Sequence, residues 1–301
     1  MGRMRGGFTI IEVVLFVGIS GFLIVGLMVG TSSTIARHRY DDSVQDMAEF
    51  FRSEYSAVVN PENIREIGSI IDRSECSIGG ETSVSGTDDD SDGSHRGRSA
   101  CLLYGRLITM GEDSNNSDSI IRSYDVIGRE LSENEISEIS GIEDALTKAS
   151  LKLFTKDSAS SSSACAYRIV GEHQYRPQWE AVAQTTSSGG TPLRASVLIV
   201  RSPVDGSIHT LFNNNVIKVQ DAMTGSCTAS SVNSLLNREV IAEFATRSRQ
   251  SDLDICVGSD DIMALSGNRR RNIRISKKGY NSSAVAIIEQ DGGADGGNAC
   301  E

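Results

Sequence analysis

A long, almost uncharged apolar run near the start of the chain constrains the fold more than any other feature. From residue 13 to residue 29 nearly every residue is Val, Leu, Ile, Phe, Met or Gly, and Glu12 is the single charge between residues 8 and 36. An α-helix needs about 20 such residues to cross a bilayer core of about 30 Å. The run is therefore predicted to span a membrane, and it is longer than the apolar core of a cleaved secretory signal.

Glu12 is the exception within this run. A carboxylate in hydrocarbon costs a few kcal/mol, so an ionisable group there predicts a function and a partner that neutralises it. Arg3 and Arg5 precede the run, and Arg37 and Arg39 follow it. Because both ends carry two arginines, the flanking charges alone do not fix the orientation of the helix.

The residues around Glu12 resemble the class III signal of type IV pilins and pseudopilins. The resemblance rests on the basic leader, the motif GGFTIIEV at residues 6–13 and the apolar run behind it. It implies that a prepilin peptidase cleaves between Gly7 and Phe8 on the cytoplasmic face and methylates the new amine of Phe8. That amine could then pair with the Glu12 carboxylate of a neighbouring subunit, which compensates the buried charge only when subunits stack in register. An ordinary uncleaved anchor with a stray glutamate is the alternative.

The same resemblance implies partners and a location. The partners are the prepilin peptidase, a pilus assembly platform, other pilin subunits in a filament and the cytoplasmic membrane. The precursor is expected to cross that membrane once with its N-terminus inside, and the assembled protein to be extracellular, in a pilus at the cell surface. The large head favours a minor pilin of a type IV pilus or related filament. A DNA-binding minor pilin of a DNA-uptake pilus and a pseudopilin of a type II secretion system are the alternatives.

Behind the apolar run the hydrophobic residues continue at a spacing of three and four, which predicts that the helix goes on as an amphipathic one. These residues are Val44, Met47, Phe51, Tyr55 and Val58. The pair Asn60-Pro61 is predicted to end the helix. The chain is therefore predicted to have four segments: a leader at 1–7, a transmembrane and polymerisation helix at 8–36, its amphipathic continuation at 37–60, and an extracellular α+β head at 61–301.

In the head, short β-rich runs bounded by Gly, Ser, Asn or Pro predict a mostly antiparallel sheet. Residues 197–200 and 208–212 are predicted to form one hairpin. Helical spacing at 142–153 and 232–244 predicts two further helices. The predicted fold class is α+β, with the long N-terminal helix packed on the sheet. Trp179, at the start of a predicted strand, is predicted to be a core aromatic residue.

Charge and cysteine content narrow the function classes. With a net charge of -11, the body of the protein does not attract nucleic acid diffusely, so any such contact is local. The six cysteines all lie behind the apolar run and none has a CxxC or zinc-like spacing, which favours disulfides in an oxidising compartment. The preferred pairs are Cys76 with Cys101 and Cys227 with Cys256, each enclosing a polar loop. Buried free thiols in a cytoplasmic chain are the alternative.

Two local clusters carry weaker predictions. Residues 268–278 concentrate six positive charges, and a nucleic-acid contact is predicted there, with a charge-defended edge strand as the alternative. The predicted contact residues are Arg270, Arg271, Arg274 and Lys278. Asp88, Asp90 and Asp92 begin like a calcium loop, but Ser99 stands where the bidentate glutamate belongs. An acidic loop is therefore preferred there to a metal site.

No enzyme motif is found in the sequence. HExxH, GxSxG, Walker A and dinucleotide-binding patterns are all missing, and these are the spacings by which common catalytic sites are recognised. We therefore expect no enzymatic activity and no cofactor, with a membrane-anchored extracytoplasmic enzyme as the rival class.

Overall fold

The computed structural model describes most of the helix and the strands of the head. It covers residues 9–60, 101–112, 120–129, 131–153, 155–157, 167–169, 171–179, 181–184, 192–220, 235–247, 252–259 and 271–289. Several predicted sites lie outside these residues, namely Gly7, Phe8, Cys76, Asp88, Asp90, Asp92, Cys227 and Arg270.

Helix α1 (Ile10–Val59) is a single helix of 50 residues, roughly 75 Å long at about 1.5 Å per residue. Thr9 caps its start, and it ends at Asn60, because the residue before a proline is disfavoured in the helical conformation. The predicted long helix and its predicted end are both confirmed.

The head contains twelve strands and three short helices among the described residues. The strands are β1 (Cys101–Met110), β2 (Ile121–Arg129), β3 (Lys152–Leu153), β4 (Thr155–Asp157), β5 (Tyr167–Ile169), β6 (His173–Tyr175), β7 (Ala181–Gln184), β8 (Ala195–Arg201), β9 (Ile208–Asn213), β10 (Leu253–Ser259), β11 (Arg271–Ile275) and β12 (Val285–Glu289). The helices are α2 (Glu133–Ser137), α3 (Ile142–Lys148) and α4 (Arg238–Arg247).

These strands form three sheets, and every described pairing between strands is antiparallel. The six-stranded sheet has the order β3-β2-β1-β8-β9, with β6 also paired to β2. The four-stranded sheet has the order β12-β11-β10-β7, and β4 pairs with β5 alone. The predicted hairpin is confirmed as β8 and β9, in which Val197 lies opposite Phe212.

The second half of α1 forms the centre of the main core. Its predicted apolar face is buried, with Val44, Met47, Phe51 and Tyr55 fully inaccessible. This face packs against both large sheets; the sheet residues in the cluster include Ile108, Val197, Phe212, Ile255, Ile273 and Ile275. The hydroxyl of Tyr40 donates to the carbonyl of Val257 in β10 at 3.0 Å and accepts from the backbone N–H of Arg271 in β11 at 2.8 Å.

A second core lies on the other face of the six-stranded sheet. There α3 and α4 cover the sheet with Leu146 and Phe244, which pack with Leu107 and Leu198. The alternation of side chains along β1 and β8 supplies both cores, because successive residues of a strand point to opposite faces. The fold is therefore α+β, with a long apolar N-terminal helix packed on antiparallel sheets, as predicted.

The predictions for residues 142–153 and for residues 268–278 are wrong. The helix predicted over residues 142–153 ends at Lys148, because Ser150 takes a left-handed φ of 51° and Leu153 pairs with Val126 as part of β3. The alternative that residues 268–278 form an edge strand also fails, since β11 lies between β10 and β12.

Trp179 is not a core residue, contrary to the prediction. Its side chain is 49% exposed and its φ is 56°. It precedes β7, which begins at Ala181, so the predicted strand starts later than the sequence pattern suggested.

Candidate functional site

The first half of α1 carries large apolar side chains that no described part of the head covers. Five consecutive residues, Val13 to Val17, are each at least 51% exposed, and Phe22 is 80% exposed. Five consecutive positions cover the whole circumference of a helix, so this rod is apolar on every side. By length and composition α1 is apolar enough to cross a membrane, and none of its most apolar stretch is buried within the protein.

Four glycines lie along this rod with open space around them. A Cβ at Gly18, Gly21, Gly26 or Gly30 would meet nothing within 4 Å. Small residues of this kind let a second helix approach closely in a membrane or a fibre. They are equally compatible with lipid contact.

Glu12 closes the first turn of α1 through a reciprocal cap with Thr9. Its Oε2 accepts from the backbone N–H of Thr9 at 3.1 Å and from the hydroxyl at 3.2 Å, while its own N–H donates to the hydroxyl oxygen at 3.3 Å. A carboxylate in this position also interacts favourably with the positive end of the helix dipole. Glu12 thus has partners in its own chain, which the sequence analysis missed although the spacing Thr-x-x-Glu is the signature of such a cap.

The predicted basic cluster is divided between two faces of β11. Ile273 and Ile275 are fully buried, as predicted, and the alternation puts Arg271 on their face and Arg274 on the opposite one. Arg271 Nη1 lies 3.2 Å from Asp41 Oδ1 in α1. Lys278, in the turn after β11, is exposed.

Arg274 is held by a carboxylate as well. Its Nε donates to Asp254 Oδ1 at 2.7 Å and its Nη2 to Oδ2 at 3.1 Å, and these hydrogen bonds raise the pKa of Arg274. Because both described arginines are paired with carboxylates, a phosphate would have to displace an acid at each position. The DNA-binding prediction therefore gains no support from the described part of the cluster.

Cys256 lies in β10, is buried, and is disulfide-bonded. This agrees with the expectation of disulfides in an oxidising compartment. The predicted pairing with Cys227 lies outside the described residues, as does Cys76, the predicted partner of Cys101 in β1.

A buried ionic cluster joins α1 to the six-stranded sheet, and the sequence analysis did not find it. Arg106 in β1 lies 3.4 Å from Glu54 in α1 and 3.1 Å from Asp125 in β2. His173 Nδ1 is 3.1 Å from Glu54 Oε1, and the hydroxyl of Ser123 donates to Glu54 Oε2 at 2.6 Å. Burial raises the pKa of Asp125, although the charge of Arg106 opposes the shift.

A further buried carboxylate, Glu112, lies beside the second core. It accepts from the backbone N–H of Gln220, from Thr109 at 3.0 Å and from the hydroxyl of Tyr124 at 3.0 Å. Burial raises the pKa of Glu112, and these hydrogen bonds and the charge of Arg122 oppose the shift. Glu54 and Glu112 are saturated by protein groups, which is the arrangement expected of structural rather than reactive acids, whereas Asp125 Oδ1 faces Arg106 without forming a hydrogen bond.

Within the described ranges, no group of three or more His, Cys, Asp or Glu side chains is placed to hold a metal ion. No protein-family model, curated protein or solved structure matches the chain. The function is therefore inferred from the chain's own motif and geometry.

Proposed function

We propose that the chain is the precursor of a type IV pilin-like subunit, processed by a prepilin peptidase and assembled into a filament through the first half of α1. The observation that carries the proposal is that one uninterrupted helix of 50 residues has two halves with different surroundings. Its first half is an apolar rod with no cover, and its second half is the centre of the head's core.

This division fits a repeating subunit better than a simple anchor. An anchor needs about 20 apolar residues and tolerates a flexible connection to its domain. Here the helix continues without interruption from Ile10 to Val59, so the head has a fixed direction relative to the rod. A fixed direction is what identical subunits need in order to repeat the same contacts along a fibre.

Glu12 supplies the proposed assembly contact. Cleavage after Gly7 would create a free amine at Phe8, and in a filament that amine would neutralise the Glu12 carboxylate of an adjoining subunit. Among the described residues, the donors to the carboxylate oxygen are the neutral N–H and hydroxyl of Thr9. A cationic partner forms a stronger, charge-assisted hydrogen bond in a medium of low dielectric constant, so stacking is favoured over the monomer.

Within this proposal we infer a minor subunit, because the head from residue 61 to residue 301 is large for a protein that must pack many times. The precursor would lie in the cytoplasmic membrane, and the filament would be extracellular. The platform and the other pilins remain its proposed partners.

The test separates the charge of Glu12 from its capping role. Glu12→Gln keeps a carbonyl oxygen that can accept from Thr9 but removes the charge. Thr9→Val removes the hydroxyl of the cap but keeps the charge. In the native host we expect Glu12→Gln to lose incorporation into filaments by about tenfold or more, and Thr9→Val to assemble nearly as the natural protein does.

Mass spectrometry of the same material supplies the second readout. Residues 1–7 should be missing and Phe8 should carry a methyl group on its amine. Retention of the leader, or normal incorporation of the Glu12→Gln variant, would contradict the proposal.

A further inference from the structure

Trp179 is a large aromatic side chain held at the surface beside the end of the apolar rod. It is 49% exposed, and its φ of 56° lies in the left-handed region that bulky residues seldom adopt. The guanidinium carbon of Arg39 lies 4.4 Å from the ring centroid. The preceding residue is fixed to α1, since the hydroxyl of Ser43 donates to the carbonyl oxygen of Gln178 at 3.2 Å. Packing within the head does not account for an indole kept outside in this way.

The level of this pair along α1 is set by the length of the apolar rod. Residues 13–36 contain no charge and extend roughly 36 Å at about 1.5 Å per residue. A bilayer is about 30 Å thick in its hydrocarbon core and about 40–45 Å with its headgroup layers. When residues 13–36 span, Arg37 and Arg39 therefore fall in the headgroup layer.

The two threonine hydroxyl groups near the end of the rod do not shorten this span. Thr31 donates to the carbonyl oxygen of Leu27 at 2.9 Å, and Thr34 to that of Gly30 at 3.1 Å. Hydroxyl groups that bond to their own helix need no water, so they are compatible with the membrane.

Both side chains of the pair suit this layer. An indole has an apolar body and one N–H donor, and tryptophan is enriched at membrane interfaces. An arginine can lay its stem along an apolar ring and present its guanidinium to a phosphate. The nearest acid in sequence, Asp41, is engaged with Arg271 at 3.2 Å, whereas the exposed Asp42, three residues after Arg39, is its neighbour on the helix surface.

We propose that Arg37, Arg39 and Trp179 form a membrane-docking face, with the indole among phospholipid headgroups and Arg39 on a lipid phosphate. The proposal rests on the membrane-spanning part of the proposed function and extends it to the head. Docking would fix the height and rotation of the head above the bilayer before a subunit leaves the membrane.

Fluorescence can test this directly, because Trp179 is the single tryptophan in the chain. The full chain is reconstituted in vesicles of phosphatidylcholine and phosphatidylglycerol, in which the lipids carry bromine either close to the headgroup or close to the end of the acyl chain. Bromine near the headgroup is expected to lower Trp179 emission about twofold, and bromine near the chain end to have little effect.

Two variants that carry Trp179→Phe provide matched controls at other depths. Phe22→Trp places the indole near the middle of the rod, so the order of the two quenchers should invert. Tyr280→Trp places it on a head residue that is 67% exposed. Its neighbour Gly279 accepts a hydrogen bond from Thr210, which also bonds Tyr55. Tyr55 lies roughly 22 Å beyond Tyr40 along α1, and Tyr280 lies at that level. Neither bromine position should quench this variant.

A charge variant tests the phosphate contact. Arg39→Gln is expected to reduce the quenching of Trp179 by headgroup bromine, whereas Lys278→Gln, an exposed cation beside Tyr280, should leave it unchanged. Circular dichroism of each variant verifies that the head is folded.

The outcomes separate this proposal from the one it rests on. If the Phe22→Trp variant is quenched and Trp179 is not, the docking face is wrong and the anchor stands. If neither is quenched, the anchor itself is wrong. A change in Trp179 emission that occurs only in assembled filaments would assign the ring to a neighbouring subunit and would overturn the docking face.

Discussion

Glu54 in α1 and Arg106 in β1 form an ion pair inside the head, with Nη1 3.4 Å from Oε2 and both side chains almost completely buried. The guanidinium is shared, because Asp125 lies 3.1 Å from Nε on its other side. Two acids therefore compete for one cation, and the half-exposed His173 lies beside Glu54, with Nδ1 3.1 Å from Oε1. Arg106 and the two acids are not equivalent in what they contribute to stability.

Removing the cation should cost more than removing one of the acids. Arg106→Gln leaves two buried carboxylates without their shared partner, and we expect the free energy of unfolding to fall by about 3 kcal/mol or more. Glu54→Gln leaves Arg106 paired with Asp125, and we expect a loss of about 1 kcal/mol. Urea unfolding of the full chain in detergent micelles, followed by circular dichroism, measures both. Equal losses in the two variants would show that the charges are not shared as described.

An exposed pair on the same helix serves as the reference. Glu49 lies 2.6 Å from Arg52 but is 67% exposed. Glu49→Gln is therefore expected to change stability by less than about 1 kcal/mol.

Glu112 should make the protein less stable as the pH rises. Burial raises its pKa above the ordinary value of 4.5, so the folded chain keeps a proton that the unfolded chain has already released. The contribution of this group to the free energy of unfolding is therefore largest below its unfolded pKa and is lost as the pH rises through its folded pKa. Glu112→Gln cannot ionise, so the variant should lose less stability than the natural protein between about pH 4 and about pH 7.

The midpoints of urea unfolding, measured for both proteins across this pH range, test this prediction. Glu49→Gln, which changes an exposed acid, should keep the pH dependence of the natural protein. An identical slope for the Glu112→Gln variant would show that folding does not raise the pKa of this group.

Gly105 should tolerate no side chain. It stands at the bulge in β1, where a Cβ would lie 2.0 Å from the carbonyl oxygen of Ile199 and 2.8 Å from the Cα of Val200. Backbone atoms of a central strand cannot move aside as a flexible side chain can, so we expect Gly105→Ala to cost about 3 kcal/mol. Gly141→Ser is the control, because a Cβ there meets nothing within 4 Å and serine is a good helix N-cap. Thermal unfolding should be almost unchanged in the control and clearly lowered in Gly105→Ala.

The parts of the fold that could be predicted depend on short-range patterns. The apolar run, the three-and-four spacing from Val44 to Val58 and the pair Asn60-Pro61 determine α1 by themselves. The hairpin of β8 and β9 could be predicted for the same reason, since two β-rich runs flank a turn of Pro, Asp and Gly. In each case the signal is contained within a few turns of helix or two adjacent strands.

The parts that could not be predicted depend on contacts distant in sequence. Asp125 and Arg106 are charged residues in neighbouring strands, and their partners in the buried cluster include Glu54 and His173, which contact Arg106 from distant parts of the chain. Trp179 was assigned to the core because aromatic residues are usually buried, yet its left-handed backbone and Arg39 hold it outside. In the candidate site, the apolar rod has a local signature, and so does the Thr9–Glu12 cap, whose spacing Thr-x-x-Glu is typical of a capping box.

The continuity of α1 has a mechanical consequence. A pull on the rod acts along the axis of the same helix whose far half lies between two sheets, and the contacts of Val44, Phe51 and Tyr55 run along that axis. The load is therefore spread over all of them at once as shear, instead of opening them one after another from an end. A protein built in this way can be pulled along its stem without first coming apart at its head.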